Sequence, residues 1–173
     1  MHRSTVYDDD ILEWSEQQAA ALRRAARARP NVSNEIDWEN VAEEIESVGR
    51  SQFLAVESLL RQILIHLIKA VSIEAQDLES QDPLLHWRKE VVAFHTDLMK
   101  RMTPSMRFRL DQAEIWRDAM RQAEADLAVY GQSVAAHLRK ECPLSLAEIL
   151  DPDFDFLAAV EALREPSESQ PSA

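Results

Sequence analysis

Only two glycines, Gly49 and Gly131, occur in 173 residues. Tight hairpins draw on Asn-Gly, Asp-Gly and Gly-Gly turns, so a chain this poor in glycine lacks the usual corners of a hairpin-built sheet. No alternating apolar run of strand type is present either. Two isolated glycines cannot make a phosphate-cradling loop, and there is no Gly-x-Ser-x-Gly elbow to present a serine nucleophile. The single cysteine, Cys142, has no partner for an internal disulfide, which fits a reducing compartment. It precedes Pro143 with no His nearby in sequence and reads as a structural thiol rather than a nucleophile. Lys and Arg, 19 together, are outnumbered by 31 Asp and Glu, giving a formal charge of -12. Nucleic-acid binding rests on neutralising phosphates with Lys and Arg, so this balance opposes it and favours basic partners. The longest dense apolar stretch, Ile63 to Val71, is broken by His66 and Lys69. It falls well short of the roughly 18 to 20 residues that cross a bilayer, so no membrane role is expected. Met1 to Tyr7 runs into Asp8-Asp9-Asp10 without the apolar segment of a secretory signal, and a soluble cytoplasmic protein is the expectation.

What the chain does contain is helical periodicity. With 46% hydrophobic residues and abundant Ala, Leu, Glu and Arg, the composition suits helices. A first helix is predicted from the triple aspartate, with Asp10 as cap and Glu13 three residues on. Its stripe is Ile11, Trp14, Gln18, Ala21, Leu22 and Ala25, and Arg23, Arg24, Arg27 and Arg29 crowd its end before Pro30-Asn31, where cations suit the helix dipole. A second helix starts at Asp37, with Trp38, Val41, Ile45, Val48, Phe53, Val56, Leu60, Ile63, Leu67 and Ala70 on one stripe. Unbroken to Ile73 it would run about 54 Å at 1.5 Å per residue. A compact chain of this size is about 40 Å across, so the helix either bends near Gly49 or projects and needs covering. The polar stretch from Glu74 to Asp82 reads as a loop. Asp82-Pro83 opens a third helix lined by Leu84, Trp87, Val91, Phe94, Leu98 and Met102, and Thr103-Pro104 opens a fourth. That fourth helix carries Met106, Leu110, Ala113, Trp116, Met120, Ala123, Leu127 and Tyr130 to Gly131, and its short link to the third makes the two antiparallel neighbours. Ser145 to Glu148 is a capping box for a short helix, and Asp151-Pro152-Asp153 starts another with Phe154, Leu157, Val160 and Leu163. The expected fold is all-α: a helical bundle of four main helices plus short C-terminal helices. Residues 1–164 form one domain, and the Ser-, Pro- and Glu-rich 165–173 is a disordered tail.

Several segments together carry a family resemblance. They are Tyr7-Asp8 with Trp14, the run from Asp37 to Arg50 (DWENVAEEIESVGR), and His66-Leu67-Ile68-Lys69. Trp87-Arg88, Thr103-Pro104-Ser105, Glu141-Cys142-Pro143 and Leu150 to Phe154 add to them. As a set they resemble the bacterial domain of unknown function 29 family, over nearly the whole chain to Phe154. The resemblance implies a small helical bacterial protein and assigns no activity. The chain departs from the family pattern in the loop from Val71 to Asp82, which lacks the basic character of the family there, and in Gly131, which puts a basic-surface role in question.

The residues that could carry chemistry are Glu43, Glu44, Glu46, His66 and Lys69, with His86 or His95 as additions, because helical bundles build metal sites from carboxylates and imidazoles on facing helices. The pattern for a metal is incomplete. None of His66, His86, His95 or His137 follows a Glu by three positions, and there is no His-Glu-x-x-His or paired Cys motif, so no metal or cofactor is assigned. Glu43 and His66 would meet only through a reversal near Gly49 or across a subunit interface. Lys69, one turn from His66 in the most apolar segment, needs a salt bridge to the first or second helix, a snorkelling path to water, or a polar pocket. Lys100, Arg101, Arg107 and Arg109 surround one turn, and the four tryptophans sit at core spacing. The leading reading is a non-catalytic module that works through a protein partner or as a homo-oligomer. The alternative is a metal-dependent or small-molecule-binding enzyme using the Glu block with His66.

Overall fold

The computed structural model describes residues 6–28, 36–73, 82–138 and 141–164. Every regular element among them is a helix: α1 (Val6–Asp9), α2 (Ile11–Ala28), α3 (Trp38–Ser72), α4 (Asp82–Arg101), α5 (Pro104–Arg109), α6 (Gln112–Ala128), α7 (Leu146–Ile149) and α8 (Phe156–Arg164). The all-α class holds, with α2, α3, α4 and α6 as the long members. The expected Pro30-Asn31 stop, residues 74–81 of the polar loop and the 165–173 tail lie outside the described residues.

Two compact units emerge, one drawn from residues 1–57 and 101–110, the other from 58–100 and 111–173. In the first, α2 begins where the Asp10 carboxylate accepts the Glu13 N–H at 3.1 Å, the N-cap expected from sequence. The buried edge of α2 is Leu12, Ser15 and Ala19. The predicted stripe was thus offset: Gln18 and Ala25 are exposed, and Ile11 and Trp14 are half-buried. The reason is Gly49. A Cβ at that position would stand 2.0 Å from Ser15 Oγ and 3.1 Å from Leu12 Cα, so α2 approaches α3 closely at a glycine. Leu12 and Ser15 of α2 meet that contact, and with Ala19 they form the buried edge. Gly49 therefore does not break α3, which runs without interruption from Trp38 to Ser72. Arg23 of α2 adds a polar staple, with Nε 2.9 Å from Glu39 and Nη2 2.9 Å from Glu46. The Tyr7 ring meets Trp14 edge-on at 4.8 Å.

The expected fourth helix is two helices. α5 starts at Thr103, whose hydroxyl accepts the Met106 N–H, and ends at Leu110 with extended dihedrals. Asp111 then caps α6 by accepting the Glu114 N–H at 2.9 Å. The apolar period passes through the break, since Met106 and Trp116 are both buried, while the capping aspartate sets the new start.

In the second unit the C-terminal half of α3 is apolar on nearly all sides, and Ile63, Leu64, Ile65, His66, Leu67, Ile68, Ala70 and Val71 are all buried. Val91 and Leu98 of α4 and Ile115, Trp116, Ala119, Ala123 and Leu127 of α6 are buried with them. α6 ends as sequence suggested: Gly131 has φ +70°, Gln132 N–H donates to the Leu127 carbonyl, and Gly131 N–H donates to that of Ala128. This pair of bonds is the Schellman arrangement, which needs a left-handed residue at its corner. The Ser145–Glu148 capping box forms in both directions. α8 starts later than expected, after Asp155, whose side chain accepts the Ala158 N–H. Its buried face is Phe156, Ala159, Val160 and Leu163, and Leu157 is exposed.

Candidate functional site

The sequence-derived candidates separate along α3. Glu43 and Glu44 are exposed, Glu46 is half-buried against Arg23, and all three belong to the first unit. His66 and Lys69 belong to the second, more than five helical turns further along the same uninterrupted helix.

What gathers around His66 comes from α4. Its ring is 8% exposed and stacks against Phe94 at 5.7 Å between centroids, nearly parallel at 9°, and beside Trp87 at 6.4 Å. Nε2 lies 3.2 Å from Oε2 of Glu90, and the same oxygen is 3.4 Å from Nε2 of His86, one turn earlier on α4. One carboxylate oxygen therefore serves two imidazoles. The other ring nitrogen of His66, Nδ1, is buried and has no hydrogen-bond partner among the described residues. A protonated Nδ1 would be an unsatisfied buried donor, so the neutral ring with its hydrogen on Nε2, the nitrogen that faces Glu90, is the form this environment suits. Burial lowers the His66 pKa, with Lys69 and His86 pushing the same way against the pull of Glu90 and Asp126.

One turn beyond, Lys69 finds its partner on α6, not on the first or second helix as anticipated. Its Nζ is 3.3 Å from Asp126 Oδ2 and 5.2 Å from the centre of the Trp87 ring. The ammonium is paired with a carboxylate and placed over an aromatic ring, which together offset the desolvation of a side chain only 17% exposed. His95 is turned elsewhere, donating through Nε2 to the Ile149 carbonyl at 2.9 Å and stacking on Phe154 at 5.1 Å. His137 is exposed. Among the described residues, no three His, Cys, Asp or Glu side chains converge as a metal-binding set.

The other candidates resolve into local structure. Burial raises the Cys142 thiol pKa, which disfavours the thiolate and suits a structural role. Arg109 forms a bidentate pair with Glu16, Arg101 donates to Gln52, and Lys100 lies near Asp97, so most of that basic turn is engaged within the chain. Sequence reading missed the role of Asp10 beyond its own helix. Its carboxylate also accepts from Ser105 N–H at 2.8 Å, Ser105 Oγ at 2.7 Å and Thr103 Oγ1 at 3.0 Å, tying the start of α2 to the start of α5. Burial raises its pKa, but these hydrogen bonds and the one from Glu13 outweigh that and hold it below the ordinary value. The signal was present as two separate motifs, the triple aspartate and Thr103-Pro104-Ser105, and nothing in sequence links positions so far apart. Among the described residues no helix is long and apolar enough to cross a membrane.

Comparison with known proteins agrees with the fold. A family model described as "Domain of unknown function DUF29" matches residues 6–155. A solved structure from Rhodospirillum rubrum, described as an alpha-helical protein of unknown function, is 37% identical with a TM-score of 0.83, covering 93% of this chain and 99% of that one. No curated protein matches.

Proposed function

We propose, for a chain that belongs to the DUF29 family and shares an all-helical fold with no assigned activity, that it is a non-catalytic protein-interaction module of the bacterial cytoplasm. The observation behind this reading is the apolar stripe on the first half of α3. Trp38, Val41, Ile45 and Val48 recur at helical spacing, as a core stripe would. Yet Val41 and Val48 are 41% and 45% exposed, and the buried positions nearby are Ala42 and Gly49 on another edge. A helix face of this kind suits a second helix laid ridge into groove, anchored at residues three, four and seven apart. Exposed Glu43 and Glu44 on the same helix, together with a net charge of -12, favour an amphipathic basic segment as the occupant. A second copy of this chain would bring like charges together.

The test is affinity purification of the tagged full chain from its source cells, comparing wild type with the double variant Val41→Glu/Val48→Glu. The expected result is a stoichiometric partner that cross-links to α3 through a basic amphipathic helix and is depleted at least tenfold by the variant, with an unchanged circular dichroism spectrum. Retention of the partner by the variant would refute the reading. So would a wild-type monomer, by light scattering at micromolar concentration, that brings down no stoichiometric partner. A dimer dissolved by the same variant would point to self-association instead. The enzyme reading built on Glu43, Glu44 and Glu46 with His66 draws no support from their positions along α3.

A further inference from the structure

Beside the Lys69–Asp126 pair the second unit opens a cleft of about 490 Å³. That volume lies within the roughly 300 to 1,000 Å³ of small-molecule sites, which combine apolar walls with a few convergent polar groups. Here the walls include Pro83, Trp87 and Tyr130, and the polar groups are Lys69, Asp126, His86 and Gln132. The positions of Tyr130 and Gln132 follow from the turn at Gly131, whose left-handed backbone ends α6 and brings both flanking residues to the cleft. Tyr130 was expected in the core from its place on the α6 stripe. It is 79% exposed and lines the cleft instead.

The electrostatics decide the ligand class. Among the described cleft residues Lys69 brings the one full positive charge, and an ammonium has three N–H donors, of which Asp126 takes one. Asp126 keeps the wall close to neutral, so an incoming carboxylate meets a donor without a large opposing charge. On a chain of net charge -12, long-range attraction does not gather anions, and recognition has to come from such a local donor. His86, 67% exposed with Nε2 directed at Glu90, and the Gln132 amide offer further polar contacts. Trp87 and Tyr130 supply aromatic surface for a planar group.

We propose that this cleft binds a small aromatic carboxylate, with its carboxylate on the Lys69 ammonium and its ring against Trp87 and Tyr130. The test is titration calorimetry on the full chain with three probes of one shape: indole-3-acetate, its amide, and the amine tryptamine. Indole-3-acetate should bind saturably at one site and the amide at least tenfold more weakly. Lys69→Met and Tyr130→Ala should each weaken the acid at least fivefold, while Phe108→Ala should leave it unchanged, since that side chain, 92% exposed on α5, is no part of this cleft. If Lys69→Met fails to fold, the acid-to-amide ratio and the surface variant Tyr130→Ala decide the matter. The proposal is overturned by absence of saturation at millimolar acid, by equal binding of acid and amide, or by unchanged affinity in both single variants. Tighter binding of tryptamine would also overturn it, making Asp126 the recognising group.

Discussion

Replacing Gly49 by alanine tests the central packing feature of the first unit, because two opposing effects must be weighed. In an isolated helix the change is favourable by about 1 kcal/mol, since glycine is that much poorer than alanine in a helix interior. In this chain the new methyl would lie 2.0 Å from Ser15 Oγ, and 3.1 Å from both Leu12 Cα and Ser15 Cβ. The hydroxyl can rotate, but it donates to the Leu12 carbonyl at 2.9 Å, and losing that bond costs about 1 kcal/mol. The backbone contact cannot rotate away, and overpacking of this kind costs about 1–3 kcal/mol. The sum is a net loss of about 1–3 kcal/mol, which for a chain of this size lowers the melting temperature by roughly 2–12 °C. Thermal and urea unfolding followed by circular dichroism measure it directly. Ser15→Ala removes the closest atom while leaving the Cβ, so the double variant should recover at least about 0.5 kcal/mol relative to additivity. If Gly49→Ala instead stabilised the protein by the full propensity gain, α2 would not approach α3 as described and the account of the offset stripe would fail.

Three further perturbations have defined outcomes. Asp10→Ala removes an N-cap and an acceptor shared by Ser105 and Thr103, and should cost about 2–4 kcal/mol in urea unfolding; a loss under about 1 kcal/mol would show that the α2–α5 tie carries little stability. His66→Phe should flatten the stability profile between pH 7.5 and 5.5. The folded ring binds its proton less tightly than the unfolded one, with its ordinary value of 6.5, so wild-type stability is complete above that value and falls as pH drops below it. An equal fall in variant and wild type would remove His66 as the cause. Gly131→Ala meets no atom within 4 Å, so its expected cost of about 1–2 kcal/mol is purely that of a left-handed backbone, and a neutral result in thermal melts would mean the Schellman turn relaxes freely.

The parts of this fold legible in sequence are those set by neighbours within a few residues. Asp10, Asp111, Ser145 and Asp155 all cap helices, and of these Asp10 and Ser145 are legible as caps in the sequence. Capping is a contact between a side chain and the backbone three residues on, so local spacing contains it. Asp111 is hidden in sequence because Leu110 and Ala113 keep the apolar period running across the break, and periodicity alone registers no stop there. Gly131 is legible because a glycine after a helical stripe has a local meaning, whereas Gly49 is ambiguous: inside a helix, a glycine marks either a bend or a close approach. Which of the two applies depended on Ser15, 34 positions away.

The candidate site shows the same division. That His66 and Lys69 need polar partners follows from their apolar surroundings and could be argued from sequence; that the partners are Glu90 and Asp126 could not. Within one chain, the Glu block could meet His66 only through a reversal near Gly49, and α3 runs without one. Once α3 is continuous, acidic residues on α4 and α6 take the place of Glu43, Glu44 and Glu46 beside the buried imidazole and ammonium. The same continuity gives α3 two distinct surfaces. Its C-terminal half is covered on almost every side, while on its N-terminal half the equivalent apolar stripe keeps Val41 and Val48 partly in solvent. Side chains of one type, at one spacing, on one helix thus differ in burial by whether the chain itself supplies a neighbour. That difference is why the exposed stretch, rather than the buried histidine, is the place to look for a partner.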